Sequence, residues 1–138
     1  MKLDLILRVT VKLILPFMLL FALYVQFHGD FGPGGGFQAG VIAAAMLILY
    51  ALIFGLDAAK RVAPLAFVQV LVPLGVLIYA GVGVAAMLLG GEYLNYSVLE
   101  HDPAHGQELG IMLVEIGVFV TVSGTMTAIF YMFAGRRR

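Results

Sequence analysis

Four long apolar stretches, separated by short polar segments, dominate the pattern of this 138-residue chain. They cover about residues 5–27, 38–55, 65–89 and 110–134. A hydrocarbon core ~30 Å thick needs about 20 residues of helix, and each stretch is near or above that length. None shows the alternation of apolar and polar residues that is typical of barrel strands. Because lipid offers the backbone no hydrogen-bond partners, the stretches predict four transmembrane helices.

The composition favours a single all-α membrane domain over residues 1–138. Apolar residues make up 62% of the chain and charged residues 12%, whereas soluble proteins average about half apolar and about a quarter charged. The predicted helices leave no room for a soluble catalytic domain, and no serine or cysteine nucleophile with a paired histidine is evident. Zero cysteines exclude disulfides and thiolate metal sites. We therefore expect no enzyme, no cofactor, no metal and no nucleic-acid partner.

The basic residues fall on one side of the predicted membrane. This side holds all eight lysines and arginines, namely Lys2, Arg8, Lys12, Lys60, Arg61, Arg136, Arg137 and Arg138. The two loops on the other side, the first turn and residues 90–108, carry acids instead: Asp30, Glu92, Glu100, Asp102 and Glu108. Short cytoplasmic loops collect Lys and Arg. The charge pattern therefore predicts both termini in the cytoplasm.

The first predicted helix starts unusually, because Arg8 and Lys12 lie on one face of it. Both side chains can extend to the cytoplasmic headgroups, or Lys12 can pair with an acid of a neighbouring subunit. The apolar stretch is longer than the usual signal-peptide core of about 7–15 residues, and no small-x-small cleavage site follows it. We expect a retained helix.

Glu115 is an acid inside the fourth predicted helix, about five residues or ~7.5 Å from the start of that helix. An ionised acid that faced lipid would cost on the order of 2.5–3.5 kcal/mol near the bilayer centre, and somewhat less at this depth. Its helix face is otherwise apolar, so we expect protein on that side. Three roles remain open: a place on a proton or sodium pathway, a hydrogen bond across an interface, and exposure at the membrane surface.

The opposite face of the fourth helix carries a row of small residues. Gly110, Gly117 and Gly124 recur every seven residues, and Thr121 and Ala128 fall within about 40° of them at about 100° per residue. Small residues let another helix backbone approach closely in a membrane. The row therefore predicts a helix contact, either within the chain or between chains.

A metal site in the outer loop is an alternative that we do not favour. His101, Asp102 and His105 have a spacing that could hold a metal on a helix. Pro103 lies between them, however, and disfavours helix at Asp102. The glycine-rich first turn likewise lacks the GK[ST] sequence of a phosphate-binding loop.

One motif points to a family. The segment Pro33-Gly34-Gly35-Gly36-Phe37-Gln38 stands between the first and second predicted helices. It resembles the signature of the B subunit of Mrp-type multisubunit sodium/proton antiporters. The chain length, the four helices, the charged segment around Lys60 and the closing stretch around Glu115 are also similar to that family. The family usually has histidine where this chain has Asp30.

The resemblance implies an accessory subunit of a bacterial antiporter complex in the cytoplasmic (inner) membrane. Such a complex exchanges Na⁺ for H⁺, with protons entering and sodium leaving, and its large subunits hold most of the ion-conducting residues. This chain would then be a small multi-pass partner of other subunits and of lipid. The segment Pro33–Gln38 is the expected docking turn, and Glu115, Asp30 and Lys12 are the candidates for the ion path.

Two alternatives use the same features. The chain could be a self-contained small transporter working as a homo-oligomer, with Glu115 as its substrate-binding acid. It could also be a membrane scaffold subunit of a hydrogenase-like respiratory complex. Expression of the chain alone in an antiporter-deficient host distinguishes the first alternative from an accessory subunit. The identity of the chains that co-purify with it distinguishes the second.

Overall fold

The computed structural model describes residues 2–29 and 32–136, with side chains from Asp4 onward. Asp30, Arg137 and Arg138, which entered the predictions above, lie outside the described residues. The helices are α1 (Lys2–His28), α2 (Gly36–Phe54), α3 (Leu56–Val62), α4 (Leu65–Leu88) and α5 (Pro103–Ala134), with a 3₁₀ turn at Tyr96–Val98. Four of these, all but α3, are long and apolar enough to cross a membrane. The predicted all-α membrane fold with four spanning helices is therefore confirmed.

The contacts set the directions of the helices. The glycine-rich turn joins α1 to α2, and the two helices pack against each other in opposite directions. Gly36 of α2 packs against Glu115 and Gly40 packs against Val122, so α2 and α5 run in parallel. On its other side, α5 packs most extensively against α4. There Gly75 meets Gly117, so α4 and α5 form an antiparallel pair around their glycines.

The described basic residues gather at one end of this bundle. At this end Lys12 lies over the Phe54 ring, 5.5 Å from its centroid, and Lys60 approaches Gly135. The residues concerned are Arg8, Lys12, Lys60, Arg61 and Arg136. The opposite end, called the outer end below, holds the glycine-rich turn and the segment between α4 and α5. That the basic end faces the cytoplasm stays a prediction.

The helix α5 begins seven residues earlier than the predicted start at 110, because Asp102 and Pro103 form its start. The Asp102 carboxylate accepts a hydrogen bond from the Ala104 N–H over 3.1 Å. Pro103 occupies the first helical position, where proline is tolerated because its missing N–H has no helical partner. The predicted outer loop therefore ends at Asp102. Glu115 lies about three turns inside α5, deeper than the sequence predicted.

The connection between α2 and α4 contains a short helix. Gly55, at φ 96°, ends α2, and the short helix α3 follows at once. Lys60 and Arg61 occupy the last turn of α3, where positive charge interacts favourably with the helix dipole.

A small core ties this connection to the end of α5. Ala59, Ala63, Val68 and Tyr131 are buried together, and the Tyr131 hydroxyl donates a hydrogen bond to the Ala63 carbonyl over 3.1 Å. Because the acceptor lies between α3 and α4, this bond anchors the connection to α5.

We expect Tyr131→Phe to destabilise the fold by about 1 kcal/mol, because the substitution removes this hydrogen bond and leaves the Ala63 carbonyl unpaired. Thermal unfolding of the purified chain in detergent measures the effect. Tyr24→Phe, at a tyrosine that is 57% exposed on α1, is the matched control and should leave stability unchanged. Equal stability of Tyr131→Phe and wild type would show that the bond contributes nothing.

Candidate functional site

The Glu115 carboxylate lies against the backbone of the glycine-rich turn. A Cβ atom on Gly35 would stand 2.9 Å from Glu115 Oε1, and one on Gly29 would stand 3.0 Å from it. Both positions therefore leave room for the carboxylate only because they lack a side chain. Gly35 also has a φ of 106°, a conformation that side-chain-bearing residues rarely adopt.

The start of α2 reinforces this enclosure. Gly36, its first residue, packs directly against the Glu115 carbonyl, and a Cβ there would stand 3.1 Å from the Phe119 backbone nitrogen. The α2 and α5 backbones are thus in close contact at the level of the carboxylate. The N-terminus of a helix carries partial positive charge. The acid is therefore placed where the protein itself stabilises negative charge inside an apolar helix.

The residues of the predicted docking turn fall into two groups, one packed against the rest of the chain and one exposed. Its inner residues face their own chain: the Gly35 N–H donates to the Val25 carbonyl over 3.1 Å, and a Cβ on Gly34 would stand 2.8 Å from the same oxygen. Its other residues, Pro33, Phe37 and Gln38, are exposed. The glycines thus shape the fold around Glu115, and only the exposed residues are available to a partner.

The predicted row of small residues on α5 packs within the chain. A Cβ on Gly117 would stand 2.8 Å from the Gly75 carbonyl oxygen of α4. The Thr121 hydroxyl donates to the Val72 carbonyl, also on α4, over 3.0 Å. Gly124 meets α4 too. The seven-residue spacing of these small residues therefore arises because they face α4.

The two ends of the row have different neighbours. Gly110 packs against the ring of Tyr96 in the segment before α5, and Ala128 packs against the core around Tyr131.

Burial, together with the nearby phenols of Tyr79 and Tyr93, raises the pKa of Tyr96 above its ordinary value. The same burial places the Tyr96 ring over Gly110 of α5.

Lys12 and Glu115, both predicted to border the ion path, are not brought together. Lys12 lies at the basic end, where it contacts Phe54 in a cation–π arrangement. Glu115 lies at the outer end beside Gly35. Asp30 is outside the described residues. Within the described part of the chain, Glu115 is thus the predicted ion-path residue that sits beside the glycine-rich turn.

Several polar residues that the sequence analysis did not propose as site residues surround a cavity next to Glu115. Its volume is about 630 Å³, and it is called the outer cavity below. It is lined by residues of α1, of α5 and of the segment before α5: Gln26, Phe27, Glu100, His105, Glu108, Leu109, Met112 and Glu115. His105 Nδ1 also lies 3.1 Å from Asp102 Oδ2. Among the residues that the structure describes, no three His, Cys, Asp or Glu side chains converge as a metal site.

The sequence of this chain matches a family model described as "Domain related to MnhB subunit of Na+/H+ antiporter" over residues 6–128. The chain belongs to the MnhB family. That match includes the glycine-rich turn, Glu115 and all the residues that line the outer cavity. The resemblance to the B subunits of Mrp-type antiporters is therefore confirmed.

Individual MnhB proteins cover nearly the whole chain. "Putative antiporter subunit mnhB2" of Staphylococcus aureus strain Newman is 33% identical over 129 residues, which span 86% of this chain and 91% of that protein. The protein of the same name from strain JH1 gives the same values. Membership of the MnhB family, together with the four apolar helices, makes this chain a multi-pass membrane protein of a transporter family rather than an enzyme family.

Proposed function

We propose that this chain, an accessory subunit of a multisubunit Na⁺/H⁺ antiporter, holds neighbouring subunits together and borders an ion route with Glu115. The observation that carries the second part is the position of the Glu115 carboxylate, which lies against Gly29 and Gly35 at the start of α2. Intramembrane acids are costly and mark ion or proton pathways in many transporters. The complex would exchange Na⁺ for H⁺ in the bacterial cytoplasmic membrane, with the basic end of this subunit inside.

The rest of the route must come from other subunits. No Asp, Glu, Lys, Arg or His occurs in either α2 or α4. In the bundle, Lys12 near one end and Glu115 near the other are separated by apolar side chains. A chain of proton or cation sites across the membrane needs more ionisable groups than these. This supports a subunit of a hetero-oligomer over a self-contained transporter.

The outer surfaces of the bundle suit contacts with neighbours. The helix α1 packs mainly against α2 and exposes a wide apolar face, on which Phe17 is 70% exposed and Leu20 is 66% exposed. Phe37 stands at the outer end of α2 and is 57% exposed. An exposed aromatic ring beside a turn fixed by glycines is a suitable anchor, because aromatic residues often dominate interface energies. We propose that Phe37 and Pro33 contact a neighbouring subunit.

We expect Phe37→Ala to reduce the recovery of the other antiporter subunits with this chain more than tenfold, because one central aromatic anchor can supply about 2 kcal/mol and about 1.4 kcal/mol is a factor of ten. The measurement is affinity purification of the tagged chain in mild detergent, with the other subunits quantified by mass spectrometry. Phe133→Ala is the matched control, because Phe133 is at least as exposed but lies at the basic end. Full recovery of the complex with Phe37→Ala would refute the docking role.

A further inference from the structure

A second cavity, called the α1–α2 cleft below, lies between these two helices toward the basic end of the bundle. Its volume is about 390 Å³. Its α1 wall extends from Lys12 to Leu19, which is about 10 Å along the helix. Apart from Lys12 and Tyr50 the lining is apolar, and among the residues that the structure describes no acid belongs to it. The cleft is therefore amphipathic, with one ammonium group at its basic end and an apolar interior.

An aromatic platform holds the Lys12 ammonium in place. Lys12 Nζ lies 5.5 Å from the centroid of the Phe54 ring, and the Tyr50 ring packs against Phe54 with centroids 4.8 Å apart. The face of an aromatic ring attracts a cation but accepts only weak hydrogen bonds. The three N–H donors of the ammonium can therefore still bind an anionic oxygen.

The length of α2 places this ammonium at a membrane surface. Gly36–Phe54 has 19 residues, which extend ~28 Å at ~1.5 Å per residue, close to the ~30 Å thickness of the hydrocarbon core. Each end of α2 therefore lies near one boundary of that core. Lys12 is level with Phe54, the last residue of α2, and so it lies where the phosphates of the lipids begin. From there the cleft extends toward the bilayer interior, as an acyl chain does.

The size and the charge of the cleft favour a lipid over a neighbouring subunit. A single helical turn, about 10 Å across and about 5.4 Å long, has a volume of about 420 Å³, which is more than the whole cleft. An acyl chain is thinner, and its surface matches the apolar side chains of Leu15 and Leu47 on the two walls. A carboxylate of a neighbouring subunit would pair with Lys12 but would leave the apolar interior unfilled. An anionic phospholipid complements both parts.

We propose that the α1–α2 cleft binds one anionic phospholipid, whose phosphate contacts Lys12 and whose acyl chain lies between α1 and α2. Basic residues beside membrane helices attract anionic headgroups. The inference goes beyond the proposed function and rests on it in one respect, which is that the basic end faces the cytoplasm, where such lipids give the membrane its negative surface potential. It depends neither on Glu115 nor on Phe37.

The test uses the complete antiporter complex in vesicles of phosphatidylcholine that contain a minor fraction of phosphatidylglycerol. One acyl chain of the phosphatidylglycerol carries a photoactivatable diazirine, and mass spectrometry identifies the labelled peptides of this chain after irradiation. Labelling should concentrate on the parts of α1 and α2 that line the cleft. It should exceed labelling by phosphatidylcholine with the same diazirine about fivefold, because phosphatidylcholine carries no net charge to interact with Lys12.

Two pairs of variants test the two parts of the site. Lys12→Gln removes the charge and should lower labelling of the cleft by phosphatidylglycerol about fivefold, the effect expected for one basic residue at an anionic surface. Lys60→Gln is its matched control, because Lys60 lies at the same end but approaches Gly135 instead of the cleft. Leu19→Trp fills the apolar end of the cleft and should also lower labelling. Leu20→Trp changes an exposed residue of the same helix outside the cleft. Both controls should label as the wild type does.

Three outcomes overturn the proposal. The first is equal labelling of the cleft by the two lipids in the wild-type complex, which would show surrounding lipid without selection of a headgroup. The second is unchanged labelling by phosphatidylglycerol in Lys12→Gln. The third is an unlabelled cleft in the wild-type complex together with loss of subunits from the Lys12→Gln complex, which would show that an acid of a neighbouring subunit meets Lys12. Failure of Phe37→Ala to release subunits would refute the docking role alone and would leave this site standing.

Discussion

Glu115→Gln should lower Na⁺/H⁺ exchange by the assembled antiporter about tenfold, which corresponds to about 1.4 kcal/mol in the barrier. Glutamine keeps the size of the side chain and one accepting oxygen, so it should fit beside Gly29 and Gly35. It cannot release a proton or carry a negative charge. If Glu115 borders the route, exchange must fall while the fold is preserved.

The measurement is exchange in vesicles at several pH values, together with the amount of assembled complex. Glu115→Asp retains the acid but shortens it by one methylene, so it should keep more activity than Glu115→Gln. Asp57→Asn removes an exposed acid of α3 at the basic end, and it should leave the exchange rate unchanged. Normal exchange by Glu115→Gln in a normally assembled complex would leave this acid with an architectural role only.

The number of spanning helices was predictable because the membrane constrains the sequence strongly. A helix that crosses lipid must be apolar along its whole length, and nothing else in a chain of this size produces four such stretches. The start of α5 was missed for a local reason. Asp102 and Pro103 are favourable residues for the cap and the first position of a helix, but Pro103 also disfavours helix before it, and the long apolar stretch begins only at residue 110.

The row of glycines on α5 shows where a sequence pattern stops being informative. A seven-residue spacing fixes which face of a helix is smooth, and hence that something approaches it closely. It does not identify the neighbour. The neighbour is α4, whose Gly75 lies opposite Gly117, and this pairing of residues more than 40 positions apart depends on the tertiary fold.

The candidate site was predictable in part. Glu115 drew attention because it is an acid in an apolar helix, and the glycine-rich turn because of its motif. Their contact joins Gly35 to Glu115, 80 positions apart in the chain, and no local pattern reports it. The sequence indicates Gln26 less clearly than Glu115, because Gln26 is an uncharged amide in the last turns of an apolar helix. Only its burial and its place on the cavity wall distinguish it from a residue at the membrane surface.

Gly75→Ala should destabilise the α4–α5 pair by about 1–3 kcal/mol, the usual cost of overfilling a packed interior. A Cβ on Gly75 would collide with the Gly117 carbonyl and with Thr121. Because the carbonyl belongs to the backbone of α5, a side-chain rotation cannot relieve the clash. The helices must separate, and the hydrogen bond from Thr121 to the Val72 carbonyl would lengthen or break.

The chain contains a matched control for this prediction. Gly81 lies in the same helix, and a Cβ there would meet nothing within 4 Å. Gly81→Ala should therefore leave stability unchanged or raise it by up to about 1 kcal/mol, because alanine favours helix more than glycine does. Thermal unfolding of the two purified variants and the wild type in one detergent gives the comparison. If Gly75→Ala proved as stable as Gly81→Ala, the close approach of α4 and α5 would not be what holds this half of the bundle together.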